Sequence, residues 1–266
     1  MTGSALPFAV ELAHQTGDLL LEYYRAESTR TRLKEDRSVV TEADLAADRL
    51  IAESIHGEFP ADAILSEELQ PSLGKEGVDA VWVIDPLDGT TNFSLGLPFW
   101  GISIARLVGG WPEIGVLYFP FLNELFTATK GKGAQFNHAP LQIKPPDPNI
   151  PATFFSCCSR TFRSYEIGIR YKPRILGSAA YSFCAVAKGM AIVAFEATPK
   201  IWDIAATWLL LSEAGGAVAV HQGEPPFPVQ PGKDYTHAHF PALAAATPEL
   251  LQRASSQIKL KETKQE

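Results

Sequence analysis

Residues 81–93 read Val81-Trp82-Val83-Ile84-Asp85-Pro86-Leu87-Asp88-Gly89-Thr90-Thr91-Asn92-Phe93. The apolar, partly β-branched run at 80–84 predicts a buried strand, and the proline at 86 is expected to end its ladder. Such a strand delivers Asp85 at its C-terminal end, where sheets of the α/β type tend to place ligands. The chain then turns at Pro86, so Asp85 and Asp88 can converge on one point. Two close carboxylates repel each other, and a hard divalent cation relieves the repulsion. Magnesium, which seeks oxygen ligands, is the natural occupant. Gly89-Thr90-Thr91 next offer backbone N–H groups at a turn or helix start, which is an anion site. Cation ligands beside anion donors describe a place that handles phosphate. Asp-Pro and Asp-Gly are also common turn dipeptides, so this stretch alone leaves turn and site both open.

The elements on either side are readable from periodicity. Apolar residues at helical spacing (Phe8, Leu12, Leu19, Tyr23) predict a helix over 6–25. Thr41 with Asp44 three positions on has the form of a capping box and opens a helix to about residue 56. Strands are expected at 101–108 and 114–118, joined by Gly109-Gly110, and at 125–129. The proline-rich segment 137–151 is expected to link two halves. In the second half, strands are predicted near 153–156, 174–176, 191–195 and 217–220. Helices are predicted near 160–169, 178–188 and 202–214, with a last one starting at Thr247-Pro248-Glu249. The class is mixed α+β, with antiparallel hairpins in the first half.

Other carboxylates stand in similar settings, each with a plainer explanation beside it. Glu67 and Glu68 follow the apolar pair Ile64-Leu65 and can be a solvated acidic pair. Asp203 begins an apolar helix and can serve the helix N-terminus. Asp44 has its capping box.

Taken in order, these motifs resemble the inositol monophosphatase family of magnesium-dependent, lithium-sensitive phosphatases. Lys34 through Val39-Val40-Thr41-Glu42-Ala43-Asp44 is similar to the first motif, and Ser66-Glu67-Glu68 to the Gly-Glu-Glu motif, with serine for glycine. Asp85 to Phe93 resembles the central signature, Gly177-Ser178-Ala179-Ala180 a substrate-side element, and Trp202-Asp203-Ile204-Ala205-Ala206 the C-terminal motif. Together they span residues 34–216. The resemblance implies a layered αβαβα sandwich of the sugar-phosphatase type, with mixed sheets flanked by helices. It implies an N-terminal α+β sub-domain at 1–137 that carries most metal ligands. A C-terminal α/β sub-domain at 138–266 would carry Asp203 and the substrate contacts.

The same resemblance assigns roles. Glu67, Asp85, Asp88 and Asp203, with the Leu87 carbonyl, would hold two or three Mg2+ ions. Asp44 and Thr90 would orient and deprotonate the attacking water. Gly89, Thr90 and Thr91 would cradle the phosphate; Gly177, Ser178, Ala179 and Glu196 would shape the substrate pocket. The expected substrate is a small polyol monoester such as inositol 1-phosphate, and the expected assembly a homodimer. Fructose 1,6-bisphosphate, histidinol phosphate, NADP and adenosine 3′,5′-bisphosphate are alternative substrates within the family. A non-catalytic binding or regulatory protein on the same fold is an alternative of another class. The form Asp-Gly-Thr-Thr-Asn-Phe favours the inositol branch over the nucleotide branch.

Composition sets the outer limits. The 266 residues carry 30 acidic and 23 basic side chains, a net charge of −7. That balance argues against general attraction to nucleic acid or to anionic lipid. The most apolar stretch, 204–220, contains Glu213 and Gly215-Gly216 and falls short of a spanning helix. Three cysteines (Cys157, Cys158, Cys184) cannot all pair, which favours a reducing compartment, and a cytoplasmic protein is expected. Packing is the expected role of all three. Arg160, Arg163, Arg170, Lys172 and Arg174 make one region locally basic, either a solvated face or a grip for a second anion.

Overall fold

The computed structural model describes residues 5–25, 31–33, 39–74, 78–144 and 153–261. Lys34 of the first motif, residues 145–151 of the expected linker and the tail after residue 261 lie outside the described residues.

Helix α1 (Ala5–Arg25) is followed by the short pair β1 (Thr31–Leu33) and β2 (Val39–Thr41), then by α2 (Glu42–Glu58). Strands β3 (Ala63–Ser66) and β4 (Ala80–Asp88) lead into the five-residue helix α3 (Thr90–Ser94). The first half is completed by β5 (Gly101–Val108), β6 (Trp111–Phe119), β7 (Glu124–Thr129), β8 (Gly133–Phe136) and β9 (Ala139–Leu141). The second half opens with β10 (Phe154–Cys157), α4 (Thr161–Ser164), β11 (Tyr165–Ile167), β12 (Pro173–Arg174) and α5 (Ala179–Ala187). It continues through β13 (Ala191–Glu196), α6 (Ile201–Glu213), β14 (Ala217–Val220), β15 (Ala242–Ala245), α7 (Pro248–Ser256) and β16 (Ile258–Leu260).

Strands β3 to β9 pair in sequence order as a seven-stranded sheet, antiparallel except for β3 beside β4. A five-stranded sheet has the order β12-β10-β13-β15-β14 and mixes both directions. Side chains alternate across β4 with period two, and this divides the core. Trp82 and Ile84 face α1 and α2, among Leu12, Leu20, Ile51 and Ile55. Val81 and Val83 face the other way, into the layer of α5 and α6 with Phe183, Trp202 and Leu210. Beyond the second sheet, Phe195 and Leu243 pack against Ala254 of α7. The layers therefore run helix, sheet, helix, sheet, helix, the expected sandwich. No helix among the described residues is long and apolar enough to cross a membrane.

Four local expectations are corrected. Strand β4 does not stop at Ile84: it runs to Asp88, and its register with β5 shifts between Asp85 and Asp88. The irregularity takes Pro86 out of the ladder, so its missing N–H costs no bond. Residues 137–151 are not wholly a linker, because Asn137 and His138 turn at positive φ into β9, with Pro140 on the sheet edge. The seven-stranded sheet thus extends past residue 137. The helix expected over 160–169 shrinks to Thr161–Ser164, because β11 pairs instead with β16, some ninety residues on. The strand near 174–176 is only Pro173–Arg174.

Leu210 lies fully buried between the two sheets. Leu210→Ala should lower the unfolding free energy by about 2–5 kcal/mol in urea denaturation. A change within about 0.5 kcal/mol, the range of ordinary surface substitutions, would place that residue outside the core.

Candidate functional site

Chain direction brings three elements to one point. β4 ends in Asp85 and Asp88, β3 ends beside it and hands over Glu67, and the first turn of α6 supplies Asp203. Ser103 of β5 donates its hydroxyl to the Trp202 carbonyl at 3.1 Å, tying the start of α6 to the first sheet. Carboxylate oxygens of Glu67, Asp85 and Asp203 lie within 4.8 Å of one another. Three hard anionic donors that close suit a divalent cation, and the donor set therefore fits the expected metal.

The protonation energetics agree. Burial raises Asp85 well above the usual carboxylate range, and the charges of Glu67, Asp88 and Asp203 raise it further. Asp203 is pushed up to about 8, by burial first and then by Asp88 and Glu67. Glu196, the last residue of β13, also reaches about 8, again chiefly by burial. A positive charge among these groups would reverse the repulsion.

Asp88 is placed differently. Its carboxylate is not in the 4.8 Å group but caps the start of α5, accepting from the Ser178 hydroxyl and from the Ala179 and Ala180 amides at 3.1 and 3.2 Å. Burial still lifts its pKa to about 6 against these bonds. Ser178 is the α5 N-cap, its Oγ accepting from the Tyr181 amide at 2.9 Å.

Asp44 has two faces. Oδ2 closes the capping box, accepting from the Thr41 amide at 2.8 Å and from the Thr41 hydroxyl. Oδ1 faces the site, 2.9 Å from the Thr90 hydroxyl, which also lies 3.0 Å from the Leu87 carbonyl. Asp44 thus caps α2 with one oxygen and meets the Thr90 hydroxyl with the other.

Glycine is required where α3 begins. Gly89 sits at φ +87, and a Cβ there would come within 2.7 Å of the Phe99 carbonyl oxygen. Asn92 then reaches back, donating to the Phe99 and Leu176 carbonyls at 2.6 and 2.7 Å, so that α3 is fastened to the approach of α5.

One cavity of about 370 Å³ collects these groups. It is lined by Glu67, Asp85, Leu87, Asp88, Gly89, Thr90, Thr91, Gly177, Ser178, Ala179, Glu196 and Asp203. Asp44 stands just behind it, touching Thr90. Cys158 and Thr198 also line it and were not singled out from sequence as pocket residues; Arg160, one of the basic residues read as a solvated face or an anion grip, lines it too. Arg160 alone of the five local basic residues lines the cavity, and its guanidinium donates to Thr198 Oγ1 at 3.0 Å. The three cysteines are free, and burial raises the pKa of each, so none is an activated thiolate. Two further residues were missed, Asn92 and the buried Asp48 of α2. Asn92 stands inside the central signature, whereas nothing in the local sequence marks Asp48.

A layered sandwich that gathers buried carboxylates, a hydroxyl–carboxylate pair and a helix start around one cavity defines a class of site for a cation and an anionic substrate. The chain belongs to the inositol monophosphatase family, whose model matches residues 3–259. That family comprises metal-dependent phosphatases acting on small phosphorylated substrates. The chain is 36% identical to the Nus factor SuhB of Pasteurella multocida over 95% of both chains. It is 34% identical to a histidinol-phosphatase of Chlorobaculum parvum, over 82% of this chain and 86% of that one. The solved structure of an IMPase from Thermotoga maritima superposes with a TM-score of 0.76 at 28% identity, covering 95% of this chain and 97% of that one.

The raised carboxyl pKa values carry a pH signature. A carboxyl whose folded pKa lies above its unfolded one lends stability that is complete below the unfolded value and lost as pH rises through the folded one. For Glu196 and Asp203 the loss runs up through about 8. Without divalent cation, the melting temperature should therefore fall from about pH 5 to about pH 8. Thermal melts in a chelator across that range check this, and a rise would contradict it.

Proposed function

We propose that this protein is a magnesium-dependent phosphatase that hydrolyses a small polyol phosphomonoester, with inositol 1-phosphate the leading candidate. The observation that carries the reading is the grouping of Glu67, Asp85 and Asp203 in the cavity that Thr90 lines, with Asp44 bonded to Thr90. Glu67, Asp85, Asp88 and Asp203, with the Leu87 carbonyl, would hold two or three ions. Bound magnesium supplies positive charge against the phosphate and the leaving oxygen, and it lowers the pKa of a water.

The chain's own residues do the rest. Asp44 is fixed by its cap bonds to Thr41, so its free oxygen can hold the Thr90 proton. Thr90 Oγ1 then turns a lone pair to the cavity and accepts the proton of the attacking water. The N–H groups of Gly89, Thr90 and Thr91 receive the phosphate oxygens. Gly177, Ser178 and Ala179 shape the opposite wall, and Glu196 binds hydroxyls of the leaving alcohol. Because Glu196 is buried in the cavity, a substrate lacking hydroxyls forgoes the bonds it would make there, and this discriminates for polyols.

Several relatives are called Nus factors, and one is called a histidinol-phosphatase. The grouped carboxylates favour catalysis over a solely regulatory role, since an assembly of close, repelling charges has no use to a protein that binds no cation.

Phosphate release from inositol 1-phosphate should require magnesium, and Asp85→Asn should abolish most of it while the fold persists. Turnover by the variant at the wild-type rate with unchanged magnesium dependence would defeat the ligand assignment. Thr90→Ala and Asp44→Asn should each lower kcat by about 10² or more. The double variant should be little worse than either, because residues acting as a unit are not additive. Strictly additive losses would leave Asp44 as a helix cap only. Glu196→Ala should erode the preference for inositol 1-phosphate over p-nitrophenyl phosphate. A wild-type enzyme that prefers fructose 1,6-bisphosphate would instead point to Arg160 as the specificity element.

A further inference from the structure

Glu67 projects from a turn, not from a strand or helix, yet it must meet two carboxylates on rigid elements. The turn is held in several places. The Ser66 amide donates to the Gln70 carbonyl at 2.9 Å, the Gln70 amide returns to Ser66 Oγ at 3.1 Å, and the Glu67 amide reaches the Ile84 carbonyl at 3.2 Å. The next two amides belong to Glu68 and Leu69. Both donate to one atom, Oδ2 of Asp48, at 3.2 and 3.1 Å. Asp48 is fully buried on α2, one helical turn after Asp44 and on the same face.

A buried carboxylate is costly where Ala43 and Ala47 show that small apolar residues suit this helix face. What this carboxylate does here is specific: one anionic oxygen anchors two consecutive N–H groups immediately after Glu67. We propose that Asp48 is a positioning residue, which holds the 66–70 turn so that Glu67 faces Asp85 and Asp203 and thereby sets the affinity of the site for a divalent cation. The inference rests on the metal reading given under Proposed function. It makes α2 the common base of two tasks. Asp44 fixes the hydroxyl that receives the proton, and Asp48, one turn on, fixes a cation ligand. A shift of α2 would move both.

The test is magnesium binding by titration calorimetry on the intact protein, with thermal melts to verify folding and phosphate release measured against magnesium concentration. Groups that orient metal ligands from behind commonly change metal affinity by about 10- to 100-fold when removed. Asp48→Ala should weaken magnesium binding by about that factor and move the activation midpoint upward equally, with activity recovering at high magnesium. Asp48→Asn keeps an acceptor oxygen and should stay much closer to wild type in both readouts. If Asp48→Ala does not fold, Asp48→Ser, whose hydroxyl is too short to reach both amides, should show the same shift. A folded Ala or Ser variant with wild-type magnesium affinity would overturn the inference. So would a drop in kcat with an unmoved magnesium midpoint. Wild-type protein that binds no magnesium would overturn the functional reading and this inference with it. Wild-type binding beside an unmoved variant overturns this inference alone.

Discussion

Three carboxylates held within 4.8 Å, Asp85 buried and Glu67 and Asp203 half-buried, repel each other, and their partial burial removes much of the water that would screen them. Glu67 comes from a turn after β3, Asp85 from β4 and Asp203 from the first turn of α6, so the repulsion acts across three elements. Two of them answer in part by holding protons at high pH, as the raised pKa values of Asp85 and Asp203 record. A divalent cation answers more completely. The fold can hold this arrangement because its apolar layers on both faces of β4 fix where the strand ends.

Several groups at the cavity also hold helix ends in place. Asp44 gives one oxygen to the cap of α2 and the other to Thr90. Asp88 closes the N-terminus of α5 through Ser178, Ala179 and Ala180 while lining the same cavity. Ser178 caps α5 and bonds Asp88. Asn92 fastens α3 to the chain that enters α5. The halves of the molecule are joined at the cavity by these side chains, and by α6 packing on the first sheet. A change at any one of them moves a helix end that borders the cavity.

Much of this was legible in residue order. The apolar, β-branched run of residues 80–84 marked the central strand, and helical periodicity with the capping box at Thr41 marked the helices beside it. The site residues were legible as motifs, and the cavity brings nearly all of them together. What stayed hidden has physical causes. The irregularity that carries β4 through Pro86 depends on pairing with β5, which a local pattern does not show. Strand β11 exists because β16 returns to it from the chain's far end, so its residues read as the tail of a helix. Asp48 looked like one more polar residue on α2. Its meaning depends on two amides twenty residues away.

The account depends on a cation sitting among Glu67, Asp85 and Asp203. Crystals grown with manganese and measured at its absorption edge test this most directly. The account predicts an anomalous peak bounded by those three carboxylates. Ordered side chains there with no peak, or manganese bound only elsewhere, would contradict it.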